Sequence, residues 1–253
     1  MWLTGAVVAL LTVTGLTVPA QADSSTGPAS VETLRETALP PKLEGTAFTR
    51  IPTRRKVVAL TFDAGGGAGG VTSILRTLKS EGITATFFLT GRWASTYPAK
   101  VRRIARAGHV LGNHTETHGK VPDMSDARLT RELNATNAAV VKAAGRGTQP
   151  WFRFPYGAHT ARDIRRVNDR GYAAIQWTVD SAGWLGTSGG MSVAKVERRV
   201  MDAIQPGAIV LMHVGQHPTD GSTLDADTLP RLISDLRDRG YEFTTLEALL
   251  PAS

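Results

Sequence analysis

The chain has 253 residues, 42% of them hydrophobic and 20% charged, with 26 Gly, 13 Pro and no Cys. This composition excludes a collagen-like repeat, a disordered tail and a disulfide scaffold, and leaves His and carboxylate as the only strong metal ligands. The formal net charge of +7 favours anionic partners such as wall polymers; nucleic acid is set aside, because Lys and Arg are scattered and no nucleic-acid module signature occurs.

Residues 1–22 carry no Lys, Arg, Asp or Glu, and an apolar run from Trp2 to Val18 ends in Ala20-Gln21-Ala22. The pattern is expected of a secretory signal peptide cut before Asp23, with a retained anchor helix as the alternative. The mature chain is therefore expected to be secreted or cell-wall associated in a bacterium, with no stable membrane insertion. Residues 23–55, rich in Ser, Thr and Pro, read as linker and lead-in segment. From Lys56 the chain alternates. VVALTFD (57–63) reads as a buried strand, VTSILRTLKSEG (71–82) as a helix closing at Gly82, and TATFFLTG (84–91) as the next strand. RRIARAG then precedes the strand HVLGNH, and a long helix is expected from Ser125 to Ala144 with Ser125 or Asp126 as cap. WFRF, YAAIQWTVD and AIVLMHV read as strands, and ARDIRRVNDRG, VAKVERRVMDAI and LPRLISDLRDRG as helices. About seven such units predict one α/β domain over residues 56–250, a distorted (β/α) barrel of parallel strands, expected to be a monomer.

Polar residues fall at the carboxyl ends of these strands: Asp63, His114, Arg153, Asp180 and His213. In a β/α barrel those ends meet on one face, where active sites are built. His114 and His118, spaced i,i+4, would aim both imidazoles to one side if the chain turns helically there, which suits a metal ion. A solvent-exposed pair is the plain alternative. Asp63 precedes a glycine-rich turn at 65–70, where backbone can approach a ligand; an ordinary turn or capping aspartate is the alternative. No Gly-Lys-Ser/Thr follows those glycines, so a nucleotide loop is rejected. His109 is expected to be structural, His159 to line the cleft, and Trp93, Trp151 and Trp177 to pack in the core.

Five segments in order, TFDAG (61–65), HTETH (114–118), RFPYG (153–157), DSAGW (180–184) and LMH (211–213), resemble the motifs of the polysaccharide deacetylases, carbohydrate esterase family 4 or the NodB-homology domain, over residues 50–250. The resemblance implies a divalent metal, usually zinc, held by His114 and His118, and hydrolysis of N-acetyl groups on an acetylated polysaccharide such as peptidoglycan or chitin. It implies that Asp63 is the general base, with Arg153 keeping it ionised. His213 would be the general acid, tuned by Asp180. The backbone N–H of Tyr156 would face the oxyanion, and Trp184 and Leu211 would wall the acetyl pocket.

One position departs from the family pattern. Two consecutive aspartates are usual in the first motif, the second being a metal ligand, but Ala64 follows Asp63 here. Catalytic zinc usually has three protein ligands. Three readings remain open: Asp63 or water completes the shell, a carboxylate from another loop substitutes (Asp123, Asp126, Asp220, Asp225 or Asp227, with His217 nearby), or the metal is lost. The function expected is an N-deacetylase, with an O-acetyl esterase of the acetyl-xylan type on the same site, or a metal-depleted glycan-binding pseudoenzyme, as the alternatives.

Overall fold

A computed structural model of the chain describes residues 39–250. The expected signal peptide lies outside the described residues, among which no helix is long and apolar enough to cross a membrane. In chain order the elements are β1 (Ala47–Phe48), β2 (Val57–Ala64), α1 (Val71–Ser80), β3 (Thr86–Leu89), α2 (Gly91–Thr96), α3 (Pro98–Arg106), β4 (Val110–Asn113) and α4 (Asp126–Ala144). They continue as β5 (Trp151–Phe152), α5 (Ala161–Asn168), β6 (Ala173–Ile175), β7 (Val179–Asp180), α6 (Val193–Ala203), β8 (Ala208–His213), α7 (Leu224–Asp238) and β9 (Glu242–Thr244).

Every residue of β2 is buried, as expected of a parallel strand covered on both faces. Its period of two separates the faces: Val58, Leu60, Phe62 and Ala64 pack with Ile74, Leu78, Leu229 and Leu232, whereas Ala59 packs with Phe88, Trp151, Ile175 and Ile209. Thr61 and Asp63 share the second face, which turns toward the inside of the barrel.

Parallel pairing runs β2-β3-β4-β5-β6, and β2 also pairs with β8, which pairs with β7. β6 and β7 are consecutive pieces of one segment that do not pair with each other, so the sheet curls into a barrel with a break at residues 176–178. Thr178 fills that break: its N–H donates to Ile209 O (2.8 Å), its hydroxyl donates to Thr49 O (2.7 Å), and it accepts from Ile209 N (3.0 Å). The fold is thus a distorted (β/α) barrel. The single strand expected over 172–180 is two short strands, and the strand within WFRF shortens to Trp151–Phe152. The long helix begins where expected, with Ser125 Oγ accepting from Arg128 N (3.2 Å).

The folded body extends beyond the expected boundary at Lys56. Leu39, Leu43, Phe48 and Ile51 are buried in the cluster that holds Ala59 and Ile209, and Ile51 N donates to Gly207 O (2.7 Å) at the amino end of β8. Apolar burial therefore claims residues that composition alone reads as linker.

His109 is structural, as expected. It is buried, and its Nδ1 accepts from Ala85 N (3.3 Å) between β3 and β4. Burial, reinforced by Arg146, pushes its pKa down from the ordinary 6.5 to about 4. Between those values the unfolded chain binds the extra proton, so stability should fall as pH drops through the window, by up to about 1.36 kcal/mol per unit. Thermal melts of His109→Gln, which keeps an acceptor for Ala85, should show a shallower acid slope than the parent; equal slopes would remove His109 as a cause.

Candidate active site

Asp63 ends the inward face of β2, and Arg153 follows β5. The Arg153 guanidinium is fully buried; Nη1 donates to Asp63 Oδ1 (2.7 Å), and Nη2 donates to Thr61 Oγ1 (2.8 Å) and Gln176 O (3.2 Å). Its flat face lies 4.2 Å over the Phe88 ring. Burial pushes the Asp63 carboxyl up, but Arg153, then His114 and His213, outweigh it and hold the pKa below the usual carboxylate value.

His114 Nδ1 lies 2.8 Å from Arg153 O. A carbonyl only accepts, so Nδ1 carries the proton and Nε2 presents a lone pair. That Nε2 stands 3.1 Å from His118 Nε2 and 3.4 Å from Asp63 Oδ2. Burial lowers the pKa of both imidazoles, that of His118 to about 4, so both are neutral at physiological pH. The pair converges, but not through the helical turn its spacing suggested. Thr115 and His118 both have left-handed backbone (φ 63° and 59°), a conformation that costs roughly 1–3 kcal/mol. Hydrogen bonds hold the turn: Thr115 N donates to Asn113 Oδ1 (3.0 Å), and Thr117 donates from N and Oγ1 to buried Glu132 (both 2.8 Å). Glu132 escaped the sequence reading. Its signal is a charge on the buried stripe of α4, between Leu129 and Thr136.

His213 ends β8, directly across from Asp63 in the strand register. Burial pushes its pKa down, but Asp225 and then Asp63 and Asp180 overcome this and raise it above the ordinary histidine value. Asp180, expected as the tuning carboxylate, reaches His213 only as a distant charge. Its Oδ1 accepts from Ala182 N (2.8 Å) and its Oδ2 from Trp184 Nε1 (3.1 Å). The carboxylate facing the ring is Asp225, with Oδ2 3.6 Å from His213 Nδ1.

A cleft of about 570 Å³ joins these groups. Asp63, His114, His118, Asp180 and His213 line it, together with Tyr156, Trp177, Trp184 and Leu211. Arg153 lies behind the lining, where it holds Asp63. Tyr156 has left-handed backbone (φ 60°) at the second position of the 3-10 turn Pro155–Gly157, where an N–H has no partner within the turn. Tyr156 and Trp184 are 66% and 50% exposed at the mouth, an arrangement that marks a binding surface. Two expectations change places. Trp177 lines the cleft instead of packing in the core, while His159 lies behind it, stacked on Phe154 at 5.0 Å and 2.9 Å from Gln176 Nε2.

The glycine-rich loop is pinned rather than open. Gly69 N donates to Gln216 Oε1 (2.7 Å), Gly70 N to Val214 O (2.9 Å), and Trp93 Nε1 to Gly67 O (3.1 Å). Ala64 packs its methyl among apolar residues of the outer cluster. The substitute carboxylates are engaged elsewhere: Asp126 with Arg166, Asp220 with Ser188 and Ser222, Asp225 with Ser181 and His213, and Asp227 with Thr223. Asp123 belongs to a separate 3-10 turn, and His217 pairs with Asp220. Among the described residues, none of these loop carboxylates pairs with His114 or His118.

Among the described residues no group of three or more His, Cys, Asp or Glu side chains is arranged to hold a metal ion as it stands. The chemistry of the nearest set nevertheless fits one divalent cation. Two neutral imidazole nitrogens stand 3.1 Å apart, close to the roughly 3.3 Å between two nitrogens bound about 2.0–2.1 Å from one tetrahedral ion. Asp63 Oδ2, free of Arg153, is the adjacent oxygen.

The barrel and the oppositely shifted Asp63 and His213 are what a hydrolase of the acyl-transfer kind requires. The chain belongs to the polysaccharide deacetylase family, whose model matches residues 50–175. It is 31% identical over 204 residues to a peptidoglycan-N-acetylglucosamine deacetylase of Bacillus cereus, covering 80% of this chain and 71% of the relative. Against a chitooligosaccharide deacetylase of Azorhizobium caulinodans the identity is 28%, covering 78% of this chain and 96% of that one. A solved family 4 carbohydrate esterase from Bacillus anthracis, described as a pseudoenzyme, superposes with a TM-score of 0.73 at 29% identity, covering 82% of this chain and 69% of that chain. A mutant of it is described as having restored enzymatic activity.

Proposed function

We propose that the chain removes N-acetyl groups from an amino-sugar polymer of the peptidoglycan or chitin type. One observation carries the reading: Asp63 and His213 face each other on adjacent strands with pKa values displaced in opposite senses, a base shifted toward its ionised form beside an acid shifted toward its charged form. Asp63 would take the proton of the attacking water, whose oxygen bonds to the amide carbon. The backbone N–H of Tyr156 would receive the oxyanion, and Leu211 and Trp184 would enclose the acetyl methyl. As the carbon–nitrogen bond breaks, His213 would give its proton to the departing nitrogen, leaving acetate and a free amine. His114, His118 and Asp63 would hold the divalent cation, zinc by its nitrogen ligands, which supplies water of lowered pKa and a polarised carbonyl. An O-acetyl ester fits the same site, with less demand on His213.

Basic residues on α1 and α3 support an anionic polymer as partner. Arg76, Lys79, Arg102 and Arg106 are exposed and pair with no carboxylate among the described residues, and Lys100 and Arg103 both reach Thr72 Oγ1 (3.1 and 3.4 Å).

Ala64 favours a second reading, a glycan-binding pseudoenzyme that has lost its metal. Metal content of the purified chain, measured beside acetate release from an N-acetylated chito-oligosaccharide, separates the two. We expect one bound metal per chain, with acetate release that stops on chelation and returns with zinc. Absence of both metal and acetate after added zinc would support the pseudoenzyme.

A further inference from the structure

Asp225 lies at the second position of α7 and is 3% exposed, yet no Lys or Arg pairs with it among the described residues. A buried carboxylate needs partners, and here they come from two strand ends. Oδ1 accepts from Ser181 Oγ (2.6 Å) after β7, and Oδ2 accepts from the backbone N–H of His213 (2.8 Å) on β8. The DSAGW turn is shaped around this carboxylate. A Cβ on Gly183 would stand 2.3 Å from Asp225 Oδ1, so only glycine admits the approach. His213 Nδ1 is buried with no hydrogen-bond partner, and Asp225 Oδ2 faces it at 3.6 Å. Asp180 has both oxygens engaged by its own turn.

We propose that Asp225 is the positioning carboxylate of His213, fixing the ring so that Nδ1 points at Oδ2 and the other nitrogen is presented to the cleft. The inference deepens the deacetylase reading and rests on it for the acid role of His213. The 3.6 Å gap closes when substrate fills the cleft, since catalytic hydrogen bonds are often long before substrate arrives. Asp180 then serves the Trp184 side of the cleft.

The test compares an N-acetylated chito-oligosaccharide with 4-nitrophenyl acetate, whose phenolate leaves without needing a proton. In Asp225→Asn, kcat on the amide should fall about 10–100-fold with little change in KM, as for loss of a second-layer partner, and at least ten times further than on the ester. Equal loss on both substrates, or no loss, overturns the proposal; so does a split seen in Asp180→Asn instead. Nitrogen NMR of the His213 ring decides the matter without turnover. At a pH high enough to leave the ring one proton, the parent should carry it on Nδ1, Asp225→Asn should show mixed tautomers, and an unchanged spectrum overturns the proposal. A parent that releases no acetate but keeps the Nδ1 proton would defeat the deacetylase reading alone. Should Asp225→Asn fail to fold, Ser181→Ala, which removes the Oδ1 anchor only, should give the same substrate split to a smaller degree, and its absence counts against the role.

Discussion

Replacing Arg153 with Met should cost about 3–5 kcal/mol of folding stability, the usual consequence of removing one partner of a buried ion pair. Both groups lie inside the barrel, Arg153 fully buried and Asp63 6% exposed, and their contact is 2.7 Å. Without the guanidinium the Asp63 carboxylate is left beside neutral His114, and Thr61 Oγ1 and Gln176 O lose their donor. For a domain of this size the loss corresponds to roughly 6–20 °C in Tm at about 2–4 °C per kcal/mol. The pH dependence follows from the sign of each shift. In the parent, Asp63 has a lowered pKa, so its contribution is present at neutral pH and fades as pH falls through the acid range. In the variant, burial without Arg153 raises that pKa, and the destabilisation eases once the carboxyl is protonated. The Tm difference should therefore be widest near neutrality and narrow toward acid. Asp63→Asn in the Arg153→Met background should recover part of the loss, because the orphaned charge is gone. A Tm within 2 °C of the parent at about pH 7 would contradict an energetically coupled pair.

The sequence made the site more legible than its supports. VVALTFD and AIVLMH are mostly apolar runs because β2 and β8 are covered on both faces, and the ionisable residue ending each run, Asp63 or His213, marks the reactive face. Such a signal needs length. β1 and β9 have two and three residues, too few for a period, and the break at Thr178 depends on cross-strand hydrogen bonds that no local pattern encodes. Glu132 was missed, and Asp225 was read only as a possible metal ligand and not as a partner of His213, for a different reason. An aspartate early in a helix reads as a cap, and a glutamate within one reads as a solvated face. Both nevertheless sit on buried stripes, Asp225 with Leu229, Leu232 and Leu236, and Glu132 with Leu129, Thr136 and Val140. A carboxylate at an apolar position of an amphipathic helix is the clue that would have found them. The convergence of His114 and His118 was expected from their spacing but arises from left-handed backbone, which spacing does not report.

Asp63→Asn should lower kcat by about 10²–10⁴-fold, the range for loss of a general acid or base; because the buried Arg153 then lacks its counter-charge, Tm should fall as well, although an amide oxygen can still accept from Nη1, and turnover is read below the variant's melt. Metal affinity is the more informative readout. Ala64 offers no donor, the candidate loop carboxylates are engaged elsewhere or set in a separate turn, and among the described residues Asp63 Oδ2 is the carboxylate oxygen beside the imidazole lone pairs. An amide is a far weaker ligand than a carboxylate, so zinc affinity measured by calorimetry should fall together with turnover, by at least the roughly 10–100-fold that outer partners alone command. Turnover lost with zinc affinity intact would mean that Asp63 is the base alone and that water completes the shell. Parallel loss would mean that one carboxylate does both tasks, with Oδ1 fixed by Arg153 and Oδ2 turned to the imidazoles. The geometry favours the second outcome, because Arg153 engages a single oxygen of Asp63 and the other stands 3.4 Å from His114 Nε2.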